Sequence, residues 1–187
     1  MVLILLTLAA PAAPSPGSAW GLQDLMQSLA AVKSVEAGFR ERKELAVLKE
    51  PLVTTGVLRY RAPAYLKKQT LEPEPQSYEV DEDWLTIDTL AEGRRLVNLD
   101  AYPAIRASVE AIRATLAGDL PTLERYYRAR LEGRAEGWTL RLEPTSKALA
   151  DFVTEVVIRG RRHQVLGVET VETGGDRSVM TIAPKNE

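Results

Sequence analysis

Hydrophobic and polar positions in this 187-residue chain first repeat with the period of a helix and then with the period of a strand. Apolar residues recur at Leu22, Leu25, Met26, Leu29 and Val32, which predicts one amphipathic helix. From residue 35 onward apolar and polar residues alternate, which predicts a strand. The folded part of the chain is therefore expected to begin with one helix followed by strands.

Most of the remaining chain shows short strand patterns separated by turn residues. Pro73 and Pro75 interrupt these patterns, because proline cannot donate a hydrogen bond inside a central strand. Gly137, Gly160 and the Gly174-Gly175 pair are expected to lie at hairpin turns. The predicted strands are residues 35–40, 53–61, 65–71, 77–80, 84–87, 94–99, 127–132, 138–143, 153–159, 163–171 and 178–182.

Helical spacing returns in the middle of the chain. The apolar stripe of this second helix consists of Ile105, Val109, Ile112 and Leu116. The other side carries the charged residues Arg106, Glu110 and Arg113. We expect Gly118 to end this helix and Asp119 to cap a short helix that reaches Tyr126. The predicted architecture is one large antiparallel sheet with a few helices against it.

The first residues resemble an export signal. Residues 2–13 form an apolar run that is too short to span a bilayer, although no positive residues precede it. Small residues at Gly17 and Ala19 follow, as expected before a cleavage site. The sequence therefore predicts a signal peptide over residues 1–19, one domain over residues 20–187 and a location in the periplasm.

Composition mainly excludes functions. The chain is 45% hydrophobic and 27% charged, which is ordinary for a globular protein. Its net charge of -2 shows no basic excess, so we expect no nucleic-acid partner. The chain has no cysteine, which excludes disulfides, zinc–thiolate sites, iron–sulfur clusters and thiol catalysis.

Candidate catalytic chemistry is sparse. His163 is the only histidine and stands beside arginines at a predicted hairpin tip, without a nucleophile–base motif. The acidic residues 81–83 lack the further spaced ligands that calcium requires, which favours a solvated turn. We therefore expect no catalytic residue, no metal site and no cofactor. The same hairpin carries three basic residues, Arg159, Arg161 and Arg162. They are either solvated side chains at the tip or a binding site for anionic lipid headgroups or an acidic partner.

Lys67 and Lys68 stand in tandem on a predicted strand, so one ammonium points to each face of the sheet. One of them is therefore expected on the side that faces the helices. A cation there is unusual for a plain core and would suit a ligand with a charged headgroup.

The order of these elements and three motifs resemble the periplasmic outer-membrane lipoprotein carrier family, the LolA type. The motifs are LAGDL at residues 116–120, WTLRLEP at residues 138–144 and GDRSVMTI at residues 175–182. They are most similar to the LolA-related branch of the family. The resemblance covers essentially the whole chain after the signal segment.

This resemblance implies a mostly β (α+β) fold, in which a single curved antiparallel sheet forms an unclosed barrel and helices cover its open side. Acyl chains would lie between the sheet and the helices. The implied partners of this monomer are an acylated lipoprotein or a free acyl or polyene lipid, an inner-membrane transporter or exporter, and an outer-membrane receptor. The residues that we take as candidates for lipid contact are Leu29, Leu66, Lys68, Tyr78, Ile105, Val109, Ile112, Leu116, Trp138 and Leu140.

Two positions depart from the classical members of the family. Those members carry an arginine immediately before the proline that corresponds to Pro63, and this arginine holds the lid closed. In this chain, the residue before Pro63 is Ala62, and the nearest arginine is Arg61, one position earlier. Classical members also have an aromatic residue where Lys68 stands. The lysine implies a shallower pocket or a ligand with an anionic headgroup.

Two other functions remain open at this point. Similar half-barrels bind an anti-sigma factor and sense envelope stress, usually with a second, C-terminal domain. The other alternative is a hydrolase on an unrelated β scaffold, although no nucleophile–base signature supports it.

Export gives the first testable prediction. We expect the mature protein isolated from the cell envelope to begin at Trp20, because cleavage after Ala19 follows a small residue at the usual spacing. N-terminal sequencing measures this directly. A product that retains Met1 would contradict the periplasmic assignment.

Overall fold

The computed structural model describes residues 20–184, so the predicted signal peptide lies outside the described residues. The described chain is mostly β, and none of its helices is long and apolar enough to cross a membrane. Its helices are α1 (Leu22–Ala30), α2 (Pro103–Ala117), α3 (Leu120–Tyr126) and α4 (Lys147–Ala150), with a 3-10 turn at Leu99–Ala101. Its strands are β1 (Ser34–Glu44), β2 (Leu52–Arg61), β3 (Tyr65–Glu72), β4 (Gln76–Asp81), β5 (Trp84–Thr89), β6 (Gly93–Asn98), β7 (Tyr127–Arg134), β8 (Gly137–Pro144), β9 (Val153–Arg161), β10 (Gln164–Glu172) and β11 (Arg177–Pro184).

All 11 strands belong to one curved antiparallel sheet in the order β6-β5-β4-β3-β2-β1-β11-β10-β9-β8-β7. Strands that follow each other in the chain are neighbours in the sheet, and β1 pairs with β11 to join the two halves. The edge strands β6 and β7 are connected through α2 and α3 rather than by pairing, so the sheet is not closed into a barrel. The predicted fold class is confirmed.

The strand register defines which side chains face the helices. Leu140 pairs with Ile158, Ile158 with Val168, Val168 with Met180, and Met180 with Glu41. Paired residues point to the same face of a sheet, and Leu140 packs among the helices. Glu41 therefore lies on the helix side of the sheet, which we call the concave face.

A large apolar core covers one half of the concave face. Side chains of α1, α2 and α3 pack there against β7, β8 and β9, with Leu25, Leu123 and Leu142 among the most deeply buried. Full burial of each such leucine contributes about 1.5–3 kcal/mol. This core fixes the first three helices against the second half of the sheet.

A smaller core lies at the other end of the same face. It consists of Val80, Leu85, Leu99 and Val109, with Leu66 packed against it. Because Val109 belongs to α2, this helix contacts both cores. Among the described residues, β1, β2 and β11 contribute no member to either core.

The ends of α2 and α3 agree with the sequence prediction. Gly118 ends α2 with a φ of 68°, and the Asp119 side chain accepts a hydrogen bond of 3.1 Å from the Thr122 amide. A Cβ atom at Gly118 would lie 2.1 Å from the Met26 carbonyl oxygen in α1. Glycine is therefore required both by the positive φ and by the close approach of α1.

Four local features differ from the prediction. Gly160 lies inside β9 rather than at a turn, and His163 lies in the β9–β10 turn rather than at the start of a strand. The first helix ends at Ala30, two residues early. The sequence pattern does not indicate α4, because four residues are too few to show a helical period.

Gly160 provides a test of packing in the large core. A Cβ atom there would lie 2.1 Å from Trp138 Cζ2 and 2.3 Å from the Gln164 carbonyl oxygen. We expect Gly160→Ala to lower the free energy of unfolding by about 1–3 kcal/mol through overpacking, measured by urea denaturation. Gly137→Ala is the control, because nothing lies within 4 Å of its added methyl group. Equal stability of the two variants would contradict this interpretation.

Candidate functional site on the concave face

Five of the ten candidate lipid-contact residues already pack against protein atoms. Leu29, Trp138 and Leu140 lie in the large core and are at most 2% exposed. Leu66 and Val109 lie in the smaller core. In this closed arrangement, these five side chains would meet a ligand only if the helices moved away from the sheet.

The other candidates are more accessible. Tyr78 is 37% exposed, Ile105 42% and Ile112 50%, whereas Leu116 and Lys68 are partly buried. The structure therefore does not bring all ten residues together on one surface. Lipid contact by any of them stays a prediction.

Helix α2 packs mainly through small residues rather than through its predicted apolar stripe. Ala107, Ala111 and Ala114 are buried in the large core, whereas Ile105 and Ile112 are exposed. Small side chains allow the helix to approach α1 and α3 closely. Only Val109 of the stripe is buried, and two bulky isoleucines remain accessible on the helix.

Arg113 attaches α2 to the rim of the sheet, although the sequence pattern places it on the charged side of the helix. The residue is only 7% exposed. Its Nε donates to the Ala64 carbonyl oxygen at 2.8 Å, and its Nη2 donates to the Glu82 carbonyl oxygen. These acceptors lie in the β2–β3 and β4–β5 turns, so one side chain joins α2 to two hairpins.

A second arginine of α2 strengthens this attachment. Arg106 forms ion pairs with Asp83 in the β4–β5 turn at 2.6 Å and with Asp100 at 2.5 Å. By contrast, Arg61 is exposed and lies over the Tyr65 ring, 4.5 Å from its centroid. The bonds that hold α2 over the sheet are therefore donated by the helix, not by the arginine near Pro63.

The middle of the concave face carries a group of five polar residues, which we call the central polar cluster. Lys68 donates to Glu41 Oε2, and Lys43 Nζ lies 3.8 Å from the same oxygen. Ser178 Oγ donates to Glu41 Oε1 at 2.6 Å. Thr54 Oγ1 donates to Glu41 Oε2 at 3.4 Å. Strands β1, β2, β3 and β11 thus converge on one carboxylate.

Glu41 is charged in this setting despite its burial. Burial alone would raise its pKa, but Lys68, the Ser178 hydrogen bond and Lys43 together hold the pKa of this carboxyl below its ordinary value. Burial lowers the pKa of Lys68 more than its pairing with Glu41 raises it. Lys68 also lies over the Phe39 ring, 5.1 Å from its centroid.

Two buried hydroxyl groups on the concave face lack a hydrogen-bond partner among the described residues. They are Tyr60 Oη and Thr70 Oγ1. Register places Tyr60 opposite Leu66 of the smaller core, and Thr70 two positions from Lys68 on the same face of β3. Such groups cost free energy unless another molecule pairs with them.

Lys67 and two residues of the predicted hairpin tip, Arg159 and His163, lie away from this face. Lys67 pairs with Glu79 at 2.7 Å, and Arg159 pairs with Glu169 at 3.1 Å. His163 is exposed in its turn. Within residues 20–184, no three His, Asp or Glu side chains are arranged to hold a metal ion.

One depression opens mainly on the convex face. Its volume is ≈ 490 Å³, and its lining includes Gly38, Arg40, Leu71 and Ala183. These side chains alternate with those of the concave face along their strands. The depression is therefore separated from the central polar cluster by the sheet itself.

Sequence reasoning missed Glu41, Lys43 and Ser178 as members of a site. The signal was present in β1, because the alternation of Val35, Ala37 and Phe39 continues in phase to positions 41 and 43. A charged residue at a position that should be buried indicates a paired or functional group. The pairing itself depends on which strands become neighbours, which the alternation does not reveal.

The fold is thus an unclosed β half-barrel whose concave face is covered by helices. The sequence matches the family described as outer membrane lipoprotein carrier protein LolA-like over residues 12–185. Because this match covers most of the chain, the protein belongs to the LolA-like family. Among curated proteins, none matches the sequence.

Solved structures with a similar chain path share little sequence with this one. A LolA superfamily protein from Nitrosomonas europaea is 10% identical, with a TM-score of 0.46, 90% of this chain covered and 96% of that one. The structure of the Pseudomonas aeruginosa MucA/MucB complex is 12% identical, with a TM-score of 0.49, 86% of this chain covered and 55% of that one. A DUF1329 family protein from Desulfovibrio piger is 10% identical, with a TM-score of 0.47, 87% of this chain covered and 88% of that one.

Arg113 provides a test of how α2 is held. Arg113→Met would leave two backbone carbonyls without a donor, so we expect α2 to open more often. Hydrogen exchange should be at least about tenfold faster at amides within residues 103–117, which corresponds to about 1.4 kcal/mol. Arg61→Met is the control, because its side chain stacks on Tyr65 instead of bonding to α2. Similar exchange in the two variants would show that Arg113 does not hold the helix.

Proposed function

We propose that this protein binds acyl chains on its concave face and carries an acylated lipoprotein or a related acylated lipid through the periplasm. The observation that carries this proposal is the attachment of α2. Its bonds to the sheet run mainly through two arginines at the rim, while its two largest exposed apolar side chains, Ile105 and Ile112, remain accessible. A helix held in this way suits reversible opening.

The energetics of acyl-chain binding are favourable on such a surface. Sheltering one methylene from water contributes about 0.8 kcal/mol, so ten carbons contribute about 8 kcal/mol before the cost of ordering the chain. Transfer to a receptor then needs only a more favourable apolar surface. Binding and release therefore require no reaction at the carrier.

Membership of the LolA-like family supports a role in the cell envelope. We propose an inner-membrane transporter or exporter as the source of the ligand and an outer-membrane receptor as its destination. We propose binding rather than catalysis, because His163 is exposed at a turn and the polar residues on the concave face form an ion pair instead of a nucleophile–base pair.

The acyl-chain proposal predicts a specific effect at Ile112. We expect Ile112→Glu to remain folded by circular dichroism, because the side chain is half exposed. Affinity for an acyl-chain fluorophore should fall at least about tenfold, because a carboxylate covered by an apolar chain loses its hydration. Leu96→Glu is the matched control, since Leu96 is 64% exposed on the convex side of β6. Unchanged affinity in Ile112→Glu would contradict a role for α2 in binding.

Val109 is less suitable for this test. It packs against Val80, Leu85 and Leu99, so a charge there disturbs the smaller core as well as any ligand. Native mass spectrometry of the protein purified from its own cell envelope complements the variants. A co-purified acylated molecule supports the carrier, whereas a bound peptide without an acyl chain supports the sensor function.

A further inference from the structure

Apolar side chains flank the central polar cluster on the concave face. Register places Phe39 and Leu58 on one side of it and Met180 and Ile182 on the other, all on the concave face. Neither apolar core includes a described residue of β1, β2 or β11, where most of the cluster lies. The cluster therefore occupies the stretch of the concave face between the two cores.

The cluster has an excess of positive charge. In the described strands, the charged side chains that register places on the concave face are Glu41, Lys43, Lys68 and, at the edge of the sheet, Arg95. Arg95 pairs with Glu92 at 2.8 Å. Two lysine ammonium groups thus share the single carboxylate of Glu41, which leaves a net charge of about +1 on the cluster.

The cations of the cluster, and not its anion, are accessible. The side chains of Lys43 and Lys68 are 35% and 25% exposed, whereas that of Glu41 is 7% exposed. The Glu41 oxygens already accept from Lys68, Ser178 and Thr54. Each ammonium has three donors, so the two lysines retain hydrogen-bonding capacity that Glu41 does not use.

Stability gives little reason for this arrangement. A buried ion pair is often no more stabilising than apolar side chains of similar volume, because both charges must lose their hydration. The unpartnered Thr70 hydroxyl is 1% exposed and faces the same side two positions from Lys68. Thr70 thus holds hydrogen-bonding capacity that the described residues do not use.

We propose that Lys68 and Lys43 bind the single anionic group of an acylated ligand, a carboxylate or a phosphate, while its chain lies along the apolar residues of the concave face. This proposal rests on the proposed function and specifies its ligand class. The ligand is an anionic amphiphile, in which the charge and the chain are recognised together.

The test compares two ligands of equal chain length, decanoate and 1-decanol, by displacement of a neutral naphthylamine dye. We expect wild-type protein to bind decanoate at least about tenfold more tightly than decanol. Lys43→Met should reduce this preference to less than about threefold while keeping the Lys68–Glu41 pair. Lys67→Met is the control, because Lys67 also lies within ion-pair distance of a glutamate and is 25% exposed, close to the 35% of Lys43, but points to the convex face. The control should keep the full preference.

Lys68 needs a paired substitution. Lys68→Met would leave the Glu41 carboxylate buried without its main partner and risks unfolding the protein. The double variant Glu41→Gln/Lys68→Met removes both charges together. We expect it to fold, to bind decanol as wild type does and to lose the preference for decanoate.

Each alternative result has a distinct meaning. Equal affinity of wild type for decanoate and decanol would overturn the headgroup proposal and leave the acyl carrier intact. Failure of both ligands to displace the dye would overturn the proposed function as well. Inorganic phosphate should displace no dye and leave the decanoate affinity unchanged; phosphate that competes as well as decanoate would show a simple ion site and overturn recognition of an amphiphile.

Discussion

The pairing of β1 with β11 is the interaction on which the rest of the structure depends. It joins the chain near its two ends, from Ala37 opposite Pro184 to Glu44 opposite Arg177. Without it, the strands would form two separate sheets, one from β6 to β1 and one from β11 to β7. The same pairing places Ser178 beside Glu41, so the continuity of the sheet and the geometry of the central polar cluster have one origin.

The concave face combines two kinds of surface. Its ends are occupied by apolar cores that hold the helices, and its centre carries a carboxylate with two lysines. Apolar packing is not directional, whereas hydrogen bonds and ion pairs depend on geometry. The ends therefore provide stability, and the centre is where we propose that a ligand is selected. The convex face differs, because ion pairs such as Arg59–Glu36 lie there in contact with solvent.

The sequence predicts the strands and the second helix well, because alternation and helical spacing are local properties of the chain. Gly118 and Asp119 are also local signals, and both act as predicted. The role of Gly160 was missed, since its neighbour Trp138 is distant in sequence. The burial of Arg113 was missed for the same reason, because its acceptors are backbone carbonyls in two remote turns. The candidate site was predicted only in part: Lys68 was identified, whereas its partner Glu41 was not.

The close contact at Gly118 gives the two ends of α2 unequal mechanical freedom. At its C-terminal end the helix meets the α1 backbone so closely that no side chain fits between them. Farther from that end it is held by the long side chains of Arg113 and, near its N-terminus, Arg106, which can rotate without moving the backbone. If α2 opens, as the proposed function requires, we expect it to turn about the contact at Gly118. Its displacement would then be largest near Pro103, beside the edge strand β6, and we expect a ligand of the proposed carrier to enter and leave at that edge.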